Sequence, residues 1–127
     1  MGTVATATNI SGVSNIGAEM FMATYTVALD TTHATGYQTV DLTDDFKYIH
    51  AMWFAGNDTI ADNAYKIDAV LPAAGTAIDA TNVQLTFHYS PAKTGNAENA
   101  EVFDPVNAGD LGDIGDLRIV VIGKQAT

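Results

Sequence analysis

The chain has 127 residues and no cysteine, and fifteen acidic residues against five basic ones give it a formal net charge of −10. Its length and its 47% apolar content suit one packed domain. The missing cysteines exclude disulfides and thiolate metal sites, and the acidic excess disfavours nucleic-acid backbones and anionic lipid headgroups as partners.

Residues 1–18 are rich in Thr, Ala, Gly, Asn and Ser, with isolated Val4, Ile10, Val13 and Ile16 and no charged side chain. This composition predicts an extended N-terminal arm that orders against a partner, leaving 19–127 as a single domain. From Glu19 the pattern has period two. Phe21, Ala23, Tyr25, Val27 and Leu29 share one face, which predicts a strand. A polar turn at 30–36 leads to a second β-type run, 37–42. Thr43-Asp44-Asp45 then offers a cap and two acids for a single helical or 3₁₀ turn.

Residues 47–56 alternate again, with Ile49, Ala51, Trp53 and Ala55 expected opposite Tyr48, His50, Met52 and Phe54. Both faces are substantially apolar, so this strand is expected at the centre of a sheet or at an interface. Trp53 suits core packing, with an interface anchor as the second reading. A strand over 65–71 stops at Pro72, and Val83, Leu85, Phe87 and Tyr89 mark a half-buried one. A short apolar pair, Val102-Phe103, precedes Pro105, and the β-branched run 117–123 completes the pattern. The expected fold is all-β: an antiparallel sandwich or jelly-roll-like barrel of six to eight short strands. No apolar run reaches the roughly 20 residues of a spanning helix, and no basic segment followed by an apolar one opens the chain, so synthesis in the cytoplasm is expected.

Few residues point to chemistry. His33, His50 and His88 are scattered, without the i, i+4 helical spacing of a zinc-hydrolase motif. Gly109-Asp110-Leu111, Gly112-Asp113-Ile114 and Gly115-Asp116-Leu117 place a carboxylate at every third position. A hard cation such as calcium could use Asp110, Asp113 and Asp116, but neither EF-hand spacing nor paired glycines accompany them. A solvated loop anchored by Leu111, Ile114 and Leu117 is the expected form. Nucleophile-elbow, phosphate-loop and dinucleotide signatures are missing, and the expectation is a non-enzymatic protein without a cofactor.

The order of segments carries a resemblance. The Thr/Ala-rich start, Ala23-Thr24-Tyr25-Thr26-Val27, the Gly-led run Gly36 to Leu42, Ala64-Tyr65-Lys66-Ile67-Asp68 and the closing Asp116 to Lys124 together resemble the small head decoration or cement proteins of tailed bacteriophages. The resemblance implies a structural virion protein on the capsid exterior, made in the host cytoplasm and trimerising at symmetry positions of the lattice. Its partners would be the major capsid protein and further copies of itself. Val4, Ile10, Val13 and Ile16 would then be the capsid-contact arm, and Tyr48, Met52, Trp53 and Phe54 the oligomer interface. The alternative is a β-sandwich module that binds carbohydrate or a host surface, with calcium in the Gly-Asp loop. An enzyme built on His50 and His88 comes third, because no base, nucleophile and orienting group can be named together.

Overall fold

The computed structural model describes residues 4–30, 37–59, 64–90, 104–105 and 115–126, with the backbone alone at 4, 64, 65, 88–90, 104 and 105. Within them nine strands and no helix are formed: β1 (Val4–Asn9), β2 (Ser14–Gly17), β3 (Met20–Ala28), β4 (Tyr37–Val40), β5 (Phe46–Asn57), β6 (Ala64–Val70), β7 (Gln84–Ser90), β8 (Asp104–Pro105) and β9 (Leu117–Gln125). The sheet order is β5-β9-β3-β1-β4-β7-β6, with β2 added to β3 and β8 to β7. The two end strands, β5 and β6, come into contact without a ladder between them. The sheet is thus nearly closed into a barrel, and the all-β expectation holds.

The clearest alternations give the clearest strands. Ala23, Tyr25 and Val27 of β3, Leu85 and Phe87 of β7 and Leu117, Ile119 and Val121 of β9 all point into one core. Removing each of the larger side chains from water contributes roughly 1.5–3 kcal/mol. Gln38 is fully buried among them, and it exchanges two hydrogen bonds with the backbone of Asp30. Asp30 N–H donates to its Oε1 at 2.8 Å, and its Nε2 donates to the Asp30 carbonyl at 2.7 Å.

The arm expected over 1–18 is corrected: its described part is built into the sheet. Thr6 to Asn9 pair antiparallel with Ala28 to Tyr25, while Val4 and Ala5 pair parallel with Thr39 and Val40. The alternation of Thr and Ala explains the placement. Ala5 and Ala7 face the core, and Thr6 and Thr8 face out. The parallel pair also makes the sheet mixed, where a purely antiparallel one was expected.

The β2–β3 hairpin has no glycine at its tip. Ala18 (φ 50°) and Glu19 (φ 62°) both take the left-handed conformation between the paired residues Gly17 and Met20. Two consecutive positive φ values are the pattern of a type I′ turn, which favours Asn-Gly. Glu19→Gly should therefore raise stability by about 0.5–1 kcal/mol in urea unfolding, since a left-handed side chain costs more than glycine's extra freedom. An unchanged midpoint would show that Glu19 bears no strain.

The strand β5 departs from simple alternation. Its partners on β9 run Phe46↔Gln125, Tyr48↔Lys124, Ile49↔Gly123, Ala51↔Ile122, Met52↔Val121, Trp53↔Val120, Phe54↔Ile119 and Gly56↔Arg118. Lys47, His50 and Ala55 are each one residue too many for β9, so β5 carries three bulges. The faces expected for 47–56 are therefore corrected. Ile49, Met52 and Phe54 turn to the core, and Tyr48, Ala51 and Trp53 turn outward. The bulges also add the twist that curls a sheet toward closure. Gly123 permits one of them: a Cβ there would lie 2.0 Å from the Tyr48 carbonyl oxygen.

At 43–46, where a single helical or 3₁₀ turn was expected, one hydrogen-bonded turn of that kind is formed, with i→i+3 and i→i+4 bonds to one carbonyl. The Leu42 carbonyl accepts from the Asp45 and Phe46 N–H groups at 3.2 and 3.0 Å, and Asp41, rather than Thr43, is the capping side chain. Asp45 Oδ2 accepts from the Tyr25 hydroxyl at 2.5 Å and from Asn9 Nδ2 at 3.0 Å, tying β1 and β3 to the turn. Burial pushes the Tyr25 phenol above its ordinary pKa, and the Asp45 carboxylate pushes it further in the same direction. A proton held more tightly in the folded state stabilises it below the ordinary tyrosine pKa, about 10, and that contribution fades as pH rises beyond it. Tyr25→Phe should cost about 2 kcal/mol at neutral pH and flatten the alkaline fall of stability. Equal alkaline limbs for the two proteins would refute this coupling.

Candidate interaction surface

The outward side chains of β3, β9 and β5 line up in cross-strand rows. Met22, Ile122 and Ala51 form one row, and Thr24, Val120 and Trp53 form the next. Paired residues in a ladder present their side chains to the same face, so the two rows make one continuous apolar surface. Trp53 is 45% exposed and Met22 37%, while Val120, Ile122 and Ala51 are half-buried by one another. Ile10, 51% exposed, adjoins the second row through its N–H bond to the Thr24 carbonyl, and Ile16, 48% exposed, lies on β2 beside β3. Four of the six large apolar side chains exposed among the described residues thus belong to one wall; the other two, Tyr37 and Val70, lie on β4 and β6. Such clustering is unusual for a surface that meets only water.

The residues named from sequence divide on this surface. Of the expected oligomer interface, Trp53 is exposed, Tyr48 is half-buried on the outer side, Met52 is buried in the core and Phe54 packs against it. Met52 and Phe54 are therefore corrected to core residues, because the bulge at His50 shifts the phase of the strand. Of the expected capsid-contact arm, Ile10 and Ile16 are exposed and Val13 packs against the core; the side chain of Val4 lies outside the described residues. The structure brings Ile10, Ile16 and Trp53, expected on separate elements, onto one wall. Met22, Val120 and Ile122 escaped the reading, although the unbroken apolar run of β9 signalled that both its faces meet apolar surroundings.

The places where chemistry was sought are less organised. His50 is exposed at its bulge, while His33 and the side chain of His88 lie outside the described residues. Asp110 and Asp113 also lie outside them, and Asp116 is exposed. Asp116 N–H donates to Asp58 Oδ1 at 3.0 Å, and Asp58 N–H donates to the Asp116 carbonyl at 3.1 Å, which fastens β5 to β9 where the two strands end. No group of three or more His, Asp or Glu side chains suited to a metal ion is formed among the described residues. A cleft of about 120 Å³ lies at that end, among Thr26, Gly56, Asp58, Asp116 and Arg118. No helix among the described residues is long and apolar enough to cross a membrane.

No protein-family model matches the chain, and no curated protein or solved structure matches it either. The surface must therefore be interpreted from its own geometry. The paired strands β3, β9 and β5 hold Met22, Ile122, Val120 and Trp53 in fixed register.

Proposed function

We propose that the protein is a structural virion component that decorates a phage head, binding the outer surface of the major capsid protein lattice and stabilising it. The observation that carries this reading is the exposed apolar wall with Ile10, Ile16, Met22 and Trp53 in fixed positions. The segment resemblance supports the same reading, as does an acidic charge that keeps the protein off packaged nucleic acid. Ile10 and Ile16 are the residues assigned to the lattice contact. Self-association, as a trimer on the resemblance, would turn modest contacts into firm attachment by effective concentration.

The test is cosedimentation with heads assembled without the protein. Removing residues 1–18 is not a usable variant, because β1 lies between β3 and β4 and its loss would open the sheet. The double variant Ile10→Ser, Ile16→Ser leaves the ladders intact and should weaken head binding about tenfold or more, with little change in melting temperature. Wild-type protein that fails to bind such heads, or a double variant that binds equally well, would remove the proposal.

A further inference from the structure

Beyond the apolar wall, the next outward row ends in an open position. Thr26 of β3 pairs with Arg118 of β9, and Arg118 pairs with Gly56 of β5, so three cross-strand positions face outward side by side. The third has no side chain, and a Cβ built there would meet nothing within 4 Å. Ala55, the extra residue of the adjoining bulge, has no partner on β9, so its backbone polar groups also border the gap. The result is the cleft of about 120 Å³ among Thr26, Gly56, Asp58, Asp116 and Arg118. It lies one row beyond the pair Trp53↔Val120 and includes none of the side chains assigned to the lattice contact.

The acidic side of this cleft is held in place. Asp116 N–H donates to Asp58 Oδ1, Asp58 N–H donates to the Asp116 carbonyl, and the Thr59 hydroxyl donates to the same Oδ1 at 3.0 Å. Gly115 (φ 66°) is required beside this clip, since a Cβ on it would collide with Asp58 Oδ1. Asp58 Oδ2 and the Asp116 carboxylate are left over as acceptors. The Arg118 guanidinium is paired with neither, because the ion pair formed among the described residues is Lys66–Asp68. Charged donors and acceptors thus line one small space without closing on each other.

We infer that this cleft binds a small neutral polyol, one sugar unit at the end of a glycan, whose adjacent hydroxyls bridge Arg118 to Asp58 and Asp116. Charge selects the class. A carboxylate or phosphate would suit Arg118 but meets both aspartates, in a chain of net charge −10. An ammonium or a metal ion would suit the aspartates but meets Arg118. A hydroxyl is uncharged and both donates and accepts, so a vicinal diol can accept from the guanidinium and donate to the carboxylates at once. Thr26 offers one more hydroxyl partner. The space is well below the few hundred Å³ of a drug-sized pocket, which limits the ligand to about one ring. The inference is independent of the capsid reading. A chain that binds sugar but ignores heads would remove only that reading, and one that binds heads but no sugar would remove only this one.

The experiment uses the full isotope-labelled chain and follows its amide spectrum during titration with the methyl glycosides of glucose, galactose, mannose and N-acetylglucosamine. A single solvated polar site should bind in the range of about 1–10 mM. The expected result is saturable shifts from at least one of these glycosides at residues 56–58 and 115–118, with weaker responses to glucuronate, glucosamine and calcium. Arg118→Gln and Asp116→Asn should each weaken binding about tenfold or more with the rest of the spectrum in place, since Asp116 joins the clip through its main chain alone. Three results would each overturn the inference: no saturable shift with any of the four glycosides, shifts that persist undiminished in both variants, or glucuronate, glucosamine or calcium moving the same amides more strongly.

Discussion

Gly123→Ala is expected to destabilise the protein by about 3 kcal/mol, a large fraction of what holds a domain of this size together. A Cβ at this position would lie 2.0 Å from the Tyr48 carbonyl oxygen and 3.0 Å from Ile49 Cα. Both obstacles are backbone atoms, so no rotamer change relieves them and the two strands must separate. Separation would disturb the pairs Ile49↔Gly123 and Tyr48↔Lys124 in the ladder that carries the apolar wall. Urea unfolding of the variant measures the effect, and a midpoint within error of wild type would mean that β5 and β9 do not approach this closely.

Gln38→Leu should cost about 2–4 kcal/mol although the two side chains are similar in volume. The substitution leaves the hydrophobic part of the core filled and removes both bonds to Asp30, at 2.8 and 2.7 Å. The N–H and carbonyl of Asp30, half-buried just beyond β3, would then lose these two partners, at a cost on the order of 1–3 kcal/mol each. Gln38→Glu separates the two contacts, since it keeps an acceptor for the Asp30 N–H but offers its carbonyl no donor when ionised. Leucine as stable as wild type would mean that water satisfies the Asp30 backbone without Gln38.

Strands with strict alternation were legible in the residues. β3 and β7 place inward the side chains that period two assigns to one face, whereas β9, an apolar run suited to burial on both sides, buries Leu117, Ile119 and Val121 and leaves Val120 and Ile122 half-buried on the other face. Three features were not legible, each for a physical reason. The segment 4–17 carries only isolated Val and Ile among small and polar residues, so it looked like an arm; Ala5 and Ala7 face the core all the same, because the ladders to β3 and β4 hold them there. The phase of β5 slips at Lys47, His50 and Ala55, and a bulge leaves no signature in one strand because it is a mismatch with another. The hairpin tip at Ala18-Glu19 is non-glycine in a conformation that usually selects glycine, so it carried no turn signal. Trp53 was legible as a residue of interest, but its direction depended on the bulge at His50.

The position of β9 has a consequence for how the molecule comes together in time. β9 lies between β3 and β5 and pairs Val27 with Leu117 and Phe21 with Gly123, residues about a hundred positions apart. Until that strand arrives, β3 and β5 each present an open edge and the core lacks Leu117, Ile119 and Val121. Loop closure over such a span comes before any reward from the contacts, which puts folding in the slow class of β topologies, on the order of milliseconds to seconds. The apolar wall therefore exists only once β9 is in place between β3 and β5.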